Sequence, residues 1–420
     1  MDHELPLAQF ESMCSALVIN HMTKNLSIAL ELEPDSDTES RHWWRWLAYG
    51  LFSHRARKHS ILEHLALDSI IHLSVEDVDN FAAVLSSPYP EELLIGSPRG
   101  LIDERDGTLR KHAPIHWQFD EQGQHIEGSG TLMFLIPFVR TFSDDGESEW
   151  NNTMVLGCGR RQVQRKDLDF ACNTGESDGT ESRGITSLKI GFTTDSEVAD
   201  GLPNLLATVG TPLKLLSLQG RRELLGDDFF LQSCPNVLEL RLSGSVVKAR
   251  IDFRDYRASN GDARLPLISC NWQDVSTLSQ ELMDPDNLLS KCLREVRIGL
   301  ATKWLPGAVP RGYDASRCEA DLNALLQMHA VNCSLELVDV IVPTMYASYA
   351  TKFTRFHLQP IDRPLPLPVE VKIAFLSVLE HKKPVKVRRR RTHESFSLSP
   401  ICKLDQLMLS KILSWRSHDS

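Results

Sequence analysis

The chain has 420 residues, a formal net charge of −10 and nine cysteines. That length allows one elongated domain or two compact ones, and the acidic balance argues against a dominant nucleic-acid role. No run of 18 apolar residues occurs, so no transmembrane helix and no membrane partner are expected.

The acidic opening Met1–Pro6 lacks the apolar stretch of a secretory signal. The odd cysteine count, with no Cys-x-x-Cys pair, fits a reducing compartment where thiols act as small apolar residues. A cytoplasmic location is therefore expected. Residues 8–24 place Phe10, Met13, Leu17 and Val18 on one side of a helix that caps the first open end of the fold. A strand at Leu26–Leu32 and an acidic turn at Glu33–Glu39 come next. Residues 40–59 read as one helix, with the basic run His54–His59 at its end favouring the dipole. Trp43, Trp44 and Trp46 cannot all share one helix face. They offer either an aromatic anchor for a partner or large core residues. Leu62–Leu67 reads as a strand and Ser74–Leu85 as a helix capped by Ser74, with Asp77 three residues on. A further strand is expected at Leu93–Ile95, closing an N-terminal region of residues 1–95.

Residues 96–183 differ in character. Ile115/Trp117/Phe119 and Leu132/Phe134/Ile136/Phe138 alternate with strand period, predicting a β-rich insert. Thr153–Leu168 resembles the last strands of an SH3-like small barrel, and a β-hairpin extension is the alternative. Gly157-Cys158-Gly159-Arg160-Arg161 lacks the Gly-Lys-Ser/Thr ending of a phosphate loop and reads as a turn. Asp144-Asp145-Gly146-Glu147 lacks the other ligands of a calcium loop and reads as a solvated turn. Asn173–Ser182 is a polar linker. In residues 184–343, helices are expected over 199–209, 226–233, 274–283 and 320–331, with loops at 251–264 and 299–318. Residues 344–420 form a Pro-rich and basic segment, with short helices predicted over 369–379 and 404–415. Its run Lys382–Arg391 has the composition of a nuclear-import signal or of a charged linker.

The phrase Leu213-x-x-Leu216-x-Leu218 recurs along this chain. Copies start at 185, 213, 237, 265 and 293, in steps of 28, 24, 28 and 28. They read Ile185/Leu188/Ile190, Val237/Leu240/Leu242, Leu265/Ile268/Cys270 and Leu293/Val296/Ile298. A further copy follows at Leu335/Val338/Val340. Earlier copies are Leu62/Leu65/Leu67, Pro90/Leu93/Ile95 and a frayed Ser27/Leu30/Leu32. Such a step suits one strand, a turn, a helix and a return, and units of this kind stack into a solenoid. The expected fold is thus an α/β leucine-rich-repeat solenoid, irregular, of about 28-residue units, interrupted by the β-rich insert. Another α/β fold is the alternative.

The pattern resembles the ribonuclease-inhibitor type of leucine-rich repeat, although the family's Asn or Cys at position nine is replaced by Ile70, Thr193, Arg221, Ser245 and Gln273. Trp46–Arg57 and Phe81–Leu85 are similar to uncharacterised leucine-rich-repeat proteins of oomycetes. In that register, positions three, five and seven face a concave side. The candidate partner-binding residues there are Lys189, Gln219, Glu239, Arg241, Asn271, Glu295 and Arg297. Glu239/Arg241 and Glu295/Arg297 occupy equivalent places in it. The face serves either to recognise a protein or simply to pair opposite charges across strands.

No catalytic, metal or cofactor pattern stands out, so a non-catalytic, monomeric interaction scaffold is expected. It would bind a protein partner through the concave sheet and the insert. The alternative is a ubiquitin-ligase substrate receptor. Leu365–Leu379 resembles the opening of an F-box, but lies after the repeats instead of before them and is too short.

Overall fold

The inward residues of the repeated phrase line up side by side in a single sheet, but that sheet is not a solenoid. The computed structural model describes residues 7–30, 37–88, 90–95, 106–119, 125–142, 146–170, 184–193, 196, 198–220, 232–261, 265, 274–301, 310, 313–332 and 334–354. The F-box-like stretch, the basic run and the short helices expected over 369–379 and 404–415 lie outside the described residues.

The first sheet contains β1 (Asn25–Ala29), β2 (His64–Ile70), β10 (Ser187–Phe192), β11 (Leu215–Gln219), β12 (Glu239–Ser243), β13 (Val247–Asp252), β14 (Leu293–Gly299) and β15 (Leu337–Ile341). They lie in that order. All neighbours are parallel except at β13, which runs antiparallel to both β12 and β14. The solenoid expectation is therefore corrected. The chain is a mixed α/β protein with an eight-stranded mixed sheet and a separate seven-stranded antiparallel one. The physical reason lies in residues 244–252. Gly244 N–H donates to the Val247 carbonyl at 2.8 Å, so the chain reverses within a tight turn and has no need of the helical crossover that parallel strands require. Val247, Ala249 and Ile251 then alternate with Lys248, Arg250 and Asp252 as a half-buried strand should.

Three other repeat copies are also revised. Pro90–Ile95 is a short helix rather than a strand. In β1 it is Leu26 and Ile28, not Leu30 and Leu32, that pair with Leu65 and Leu67. Leu265 is buried but outside the described strands, and Ile268 and Cys270 lie outside the described residues.

Helices cover one face of the sheet. They are α1 (Leu7–Leu17), α2 (Asp37–Leu47), α3 (His54–His59), α4 (Val75–Ser86), α5 (Pro90–Ile95), α6 (Leu202–Val209), α7 (Arg254–Asn260), α8 (Val275–Met283), α9 (Leu288–Cys292), α10 (Cys318–Val331) and α11 (Ala347–Thr354). Apolar residues three and four apart turn one stripe of each long helix inward. Examples are Val78, Phe81 and Val84 in α4, Leu202, Leu205 and Leu206 in α6, and Leu322, Leu325 and Met328 in α10. They share one core with Leu65, Leu67, Leu188, Ile190, Leu216, Leu218, Leu240 and Leu242 of the sheet. The α4 start carries the full capping box between Ser74 and Asp77. The helix expected over 40–59 is broken. A π-helical turn at Ala48–Phe52 follows α2, and Ser53 then caps α3. Trp44 and Trp46 are buried, and Trp43 packs on Phe10 with ring centroids 3.9 Å apart.

The second sheet is inserted between β2 and β10, which are adjacent in the first. Its strands are β3 (Asp106–Leu109), β4 (Pro114–Phe119), β5 (His125–Thr131), β6 (Ile136–Phe142), β7 (Trp150–Val155), β8 (Gly159–Gln164) and β9 (Leu168–Phe170), in the order β5-β4-β8-β7-β6-β3-β9. β3 and β4 are two halves of one path bent at residues 110–113, and β5 and β6 are two halves bent at 132–135. The bends pair with each other, His112 N–H donating to the Leu132 carbonyl and Leu132 N–H to that of Ala113. This doubled corner folds the sheet over a small core of Leu109, Ile115, Leu132, Val139, Val155, Val163 and Leu168.

The second sheet docks on α1. Gly157 N–H donates to Ser15 Oγ at 3.1 Å, and Arg160 lies 3.3 Å from the buried Glu11 carboxylate. His42 Nε2 stands 2.8 Å from the same Glu11 oxygen. Burial opposes the Glu11 charge, but the His42 hydrogen bond and the Arg160 guanidinium outweigh it and hold the carboxyl below its ordinary value of 4.5.

Two outcomes are expected from this packing. Ile251→Ala should lower stability by about 2–5 kcal/mol in chemical denaturation, whereas exposed Lys248→Ala should stay within about 0.5 kcal/mol. Equal effects would remove β13 from the sheet. Because the folded-state pKa of Glu11 is depressed, its contribution is present above pH 4.5 and is lost as pH falls through the folded value. Denaturation curves below that pH should therefore fall less steeply for Glu11→Gln than for the parent chain.

Candidate functional site on the open sheet face

The face of the eight-stranded sheet opposite the helices carries the polar residues of each strand. Two rows cross it. One runs Ala66, Lys189, Ser217, Arg241, Arg250, Glu295 and Leu337. The other ends in Ser243, Lys248, Arg297 and Asp339. The antiparallel strand shifts the ladder, so Arg241 and Glu295 share a row. Glu239/Arg241 and Glu295/Arg297 are consequently not at equivalent places, and the expected register is corrected by two residues, roughly 7 Å along the strand.

At the β12–β13–β14 junction the face holds a depression of about 430 Å³, whose rim includes Arg241, Lys248, Arg250, Arg297, Ser243, Glu295 and Leu337. Four cations and one carboxylate, Glu295, thus line it, and Glu239, Glu336 and Asp339 reach three of those cations from beside the rim. Arg250 is the most enclosed of them, 2.8 Å from Glu295 and 3.2 Å from Glu336. Burial disfavours its charge, but Glu295, helped by Glu239 and Glu336, more than compensates and raises the guanidinium pKa. Arg241 leans on Glu239 at 2.6 Å, and Arg297 on Asp339 at 2.6 Å. Lys248 is exposed and has no ion pair among the described residues. Exposed pairs of this kind each contribute about 0–1 kcal/mol, so they orient the guanidinium groups without locking them.

The residues expected from the sequence distribute unevenly. Arg241, Glu295 and Arg297 meet at the depression. Glu239 is buried beneath Arg241 and Arg254 and presents no free carboxylate. Lys189 lies further along the sheet on β10, 2.7 Å from Asp68, and Gln219 is exposed at the end of β11. Asn271 lies outside the described residues. Lys248 and Arg250 were missed because residues 244–252 carry no repeat phrase. Their alternation with Val247, Ala249 and Ile251 was the available signal.

The other site-like features of the sequence fall elsewhere. Gly157 and Gly159, both at φ +75°, form the β7–β8 turn. Asp144 and Asp145 lie outside the described residues. Among the described residues no group of three or more His, Cys, Asp or Glu is placed to hold a metal, and no helix is long and apolar enough to cross a membrane. Burial pushes the Cys234 thiol up to about 12 and that of Cys292 to about 11, the reverse of what a nucleophilic thiolate needs. No family model, curated protein or solved structure matches the chain.

Alkylation provides the check on these thiols. At pH 8, Cys234 and Cys292 should react at least about tenfold more slowly in the native chain than after denaturation, as followed by mass spectrometry of their peptides. Native rates equal to denatured ones would contradict the burial.

Proposed function

We propose that the chain is a non-catalytic binding module whose open sheet face docks an acidic segment of a protein partner. The observation that carries this reading is the depression at the β12–β13–β14 junction, lined by Arg241, Lys248, Arg250 and Arg297, of which Lys248 has no ion pair among the described residues. Planar guanidinium groups suit bidentate carboxylates. The half-exposed Leu337 at the rim adds an apolar contact for a side chain between two acids. The net charge of −10 weighs against a polyanionic nucleic acid tracking along the chain, and leaves room only for contacts confined to a local cationic patch. A short acidic segment meets that condition, because its contact is confined to one local cationic depression.

Lys248→Glu is the most direct variant, because it removes no described ion pair. Fluorescence anisotropy with a labelled peptide of alternating Asp, Glu and Leu should show binding that weakens with salt. Lys248→Glu should reduce it about tenfold, and Arg241→Glu with Arg297→Glu at least as much, with little change in Tm for Lys248→Glu. Affinity purification on the parent chain and on Lys248→Glu would then identify the natural partner as the protein lost from the variant. Peptide binding unaffected by Lys248→Glu would overturn the reading.

A further inference from the structure

The corner where the second sheet bends over itself exposes a run of apolar side chains. Met133, Phe134 and Leu135 are 63%, 76% and 57% exposed, although Leu132 beside them is buried. Met22, 91% exposed, stands nearby. A groove of about 410 Å³ between them is lined by Leu17, Ile19, His21, Met22, Leu135 and Pro137, among others. Burying such side chains in the protein would have been favourable, and contiguous exposed apolar groups mark an interaction surface.

The charges around the corner say what kind of surface it meets. Four chain segments come together there: 16–24, 53–60, 107–119 and 128–142. Within these bounds none contains an Asp or Glu, in a protein whose net charge is −10, and the acids that precede two of them, Asp106 and Glu127, stand toward the ends of β3 and β5 away from the bends. Backbone and ring contacts fix their proximity. The bend carrying Lys111 and His112 is hydrogen-bonded to Leu132. His59, next to Lys58 on α3, packs on Phe138 with ring centroids 4.6 Å apart. Arg55 donates to the Phe138 carbonyl. Glu63, Glu91 and Asp169 each pair with a cation of these segments, Lys24, Arg55 and Arg110 respectively. Lys58 and Lys111 remain exposed with no ion pair among the described residues.

We propose that this corner is an interfacial membrane contact, with Met133, Phe134 and Leu135 entering the headgroup region of an anionic lipid surface and Lys58 and Lys111 resting on its phosphates and carboxylates. A short apolar wedge or a small cationic rim alone binds membranes only marginally, and the two together act as the paired signals that reversible attachment requires. The absence of a membrane-spanning helix among the described residues has no bearing on a contact of this depth. The proposal is independent of the peptide-binding depression, since it uses different strands and residues.

Co-sedimentation of the full chain with phosphatidylcholine vesicles, with and without phosphatidylserine, tests it. Binding is expected only to the phosphatidylserine vesicles. Met133→Ser/Phe134→Ser/Leu135→Ser should lower the partition at least about tenfold. Lys111→Glu should lower it by about fivefold or more. These side chains are mostly exposed, so Tm should move little, and a matching Tm certifies that each variant is folded. No binding to phosphatidylserine vesicles, equal binding to neutral ones, or partition unchanged in the triple variant would each overturn the proposal. So would a triple variant that instead loses a co-purifying protein while the parent chain ignores vesicles, because the corner would then be a protein surface.

Discussion

The fold turns on the pairing of one reversed strand. Alternation along a strand has period two, so β13 can run backwards and still turn Val247, Ala249 and Ile251 into the same core as the parallel strands around it. What the reversal changes is offset. Leu242 is followed across the sheet by Ala249 and then by Val296, so β14 sits two residues from where uninterrupted parallel stacking would place it. In uninterrupted stacking, Glu239 would stand beside Glu295 and Arg241 beside Arg297, like charges directly opposite. With β13 between them, Glu295 meets Arg250. Two like-charge pairs stand directly opposite, Arg241 beside Arg250 and Lys248 beside Arg297. Arg241, Arg250 and Arg297 each have a carboxylate, Glu239 for the first, Glu295 with Glu336 for the second and Asp339 for the third.

The same reversal explains how far the sequence could be read. Leu65 and Leu67, Leu188 and Ile190, Leu216 and Leu218, and Leu240 and Leu242 were legible as inward pairs because their phrase repeats, and they do pair in register. The inference from spacing to solenoid failed because equal spacing also accommodates a sheet in which two successive intervals are filled differently. Between 237 and 293 the chain spends its residues on a tight return, β13 and the helices α7, α8 and α9. The period-two signal of residues 247–252 was present, but a leucine phrase gives Lys248 and Arg250 no weight. Pro90–Ile95 misled in the opposite way. Its Leu and Ile match the phrase, while Pro90 at the first helical position and Glu91 beside it are equally good helix openers.

The corner of the second sheet shows a different limit. Leu132, Phe134, Ile136 and Phe138 alternate as one strand would, yet the chain bends among them, and Phe134 points outward while Leu132 points in. No glycine occupies the two left-handed positions of these bent strands, and Pro137 immediately precedes the second. His112 and Phe138 adopt φ of +67° and +57°, conformations that non-glycine residues seldom take. His112 persists because backbone bonds hold the 110–113 bend to Leu132 and to Asp167, and Phe138 lies where the register between β3 and β6 shifts. Such constraints are long-range, and no local pattern encodes them.

Two surface stretches break local rules without a gain in folding. Strand positions in the middle of a sheet favour β-branched and aromatic residues, yet β13 places Lys248 and Arg250 there, beside Arg241 on one side and Arg297 on the other. Mutual repulsion among these four is offset by Glu239, Glu295, Glu336 and Asp339 at the three arginines, whereas Lys248 has no ion pair among the described residues. A substitution to Thr or Val would relieve that repulsion and improve strand propensity together. The exposed Met133–Leu135 run breaks the complementary rule, leaving in water what the core would accept. Neither feature helps the chain fold. Each leaves an interaction incomplete within the described residues, the charge of Lys248 in one case and exposed apolar area in the other, and on these the two proposed contacts rest.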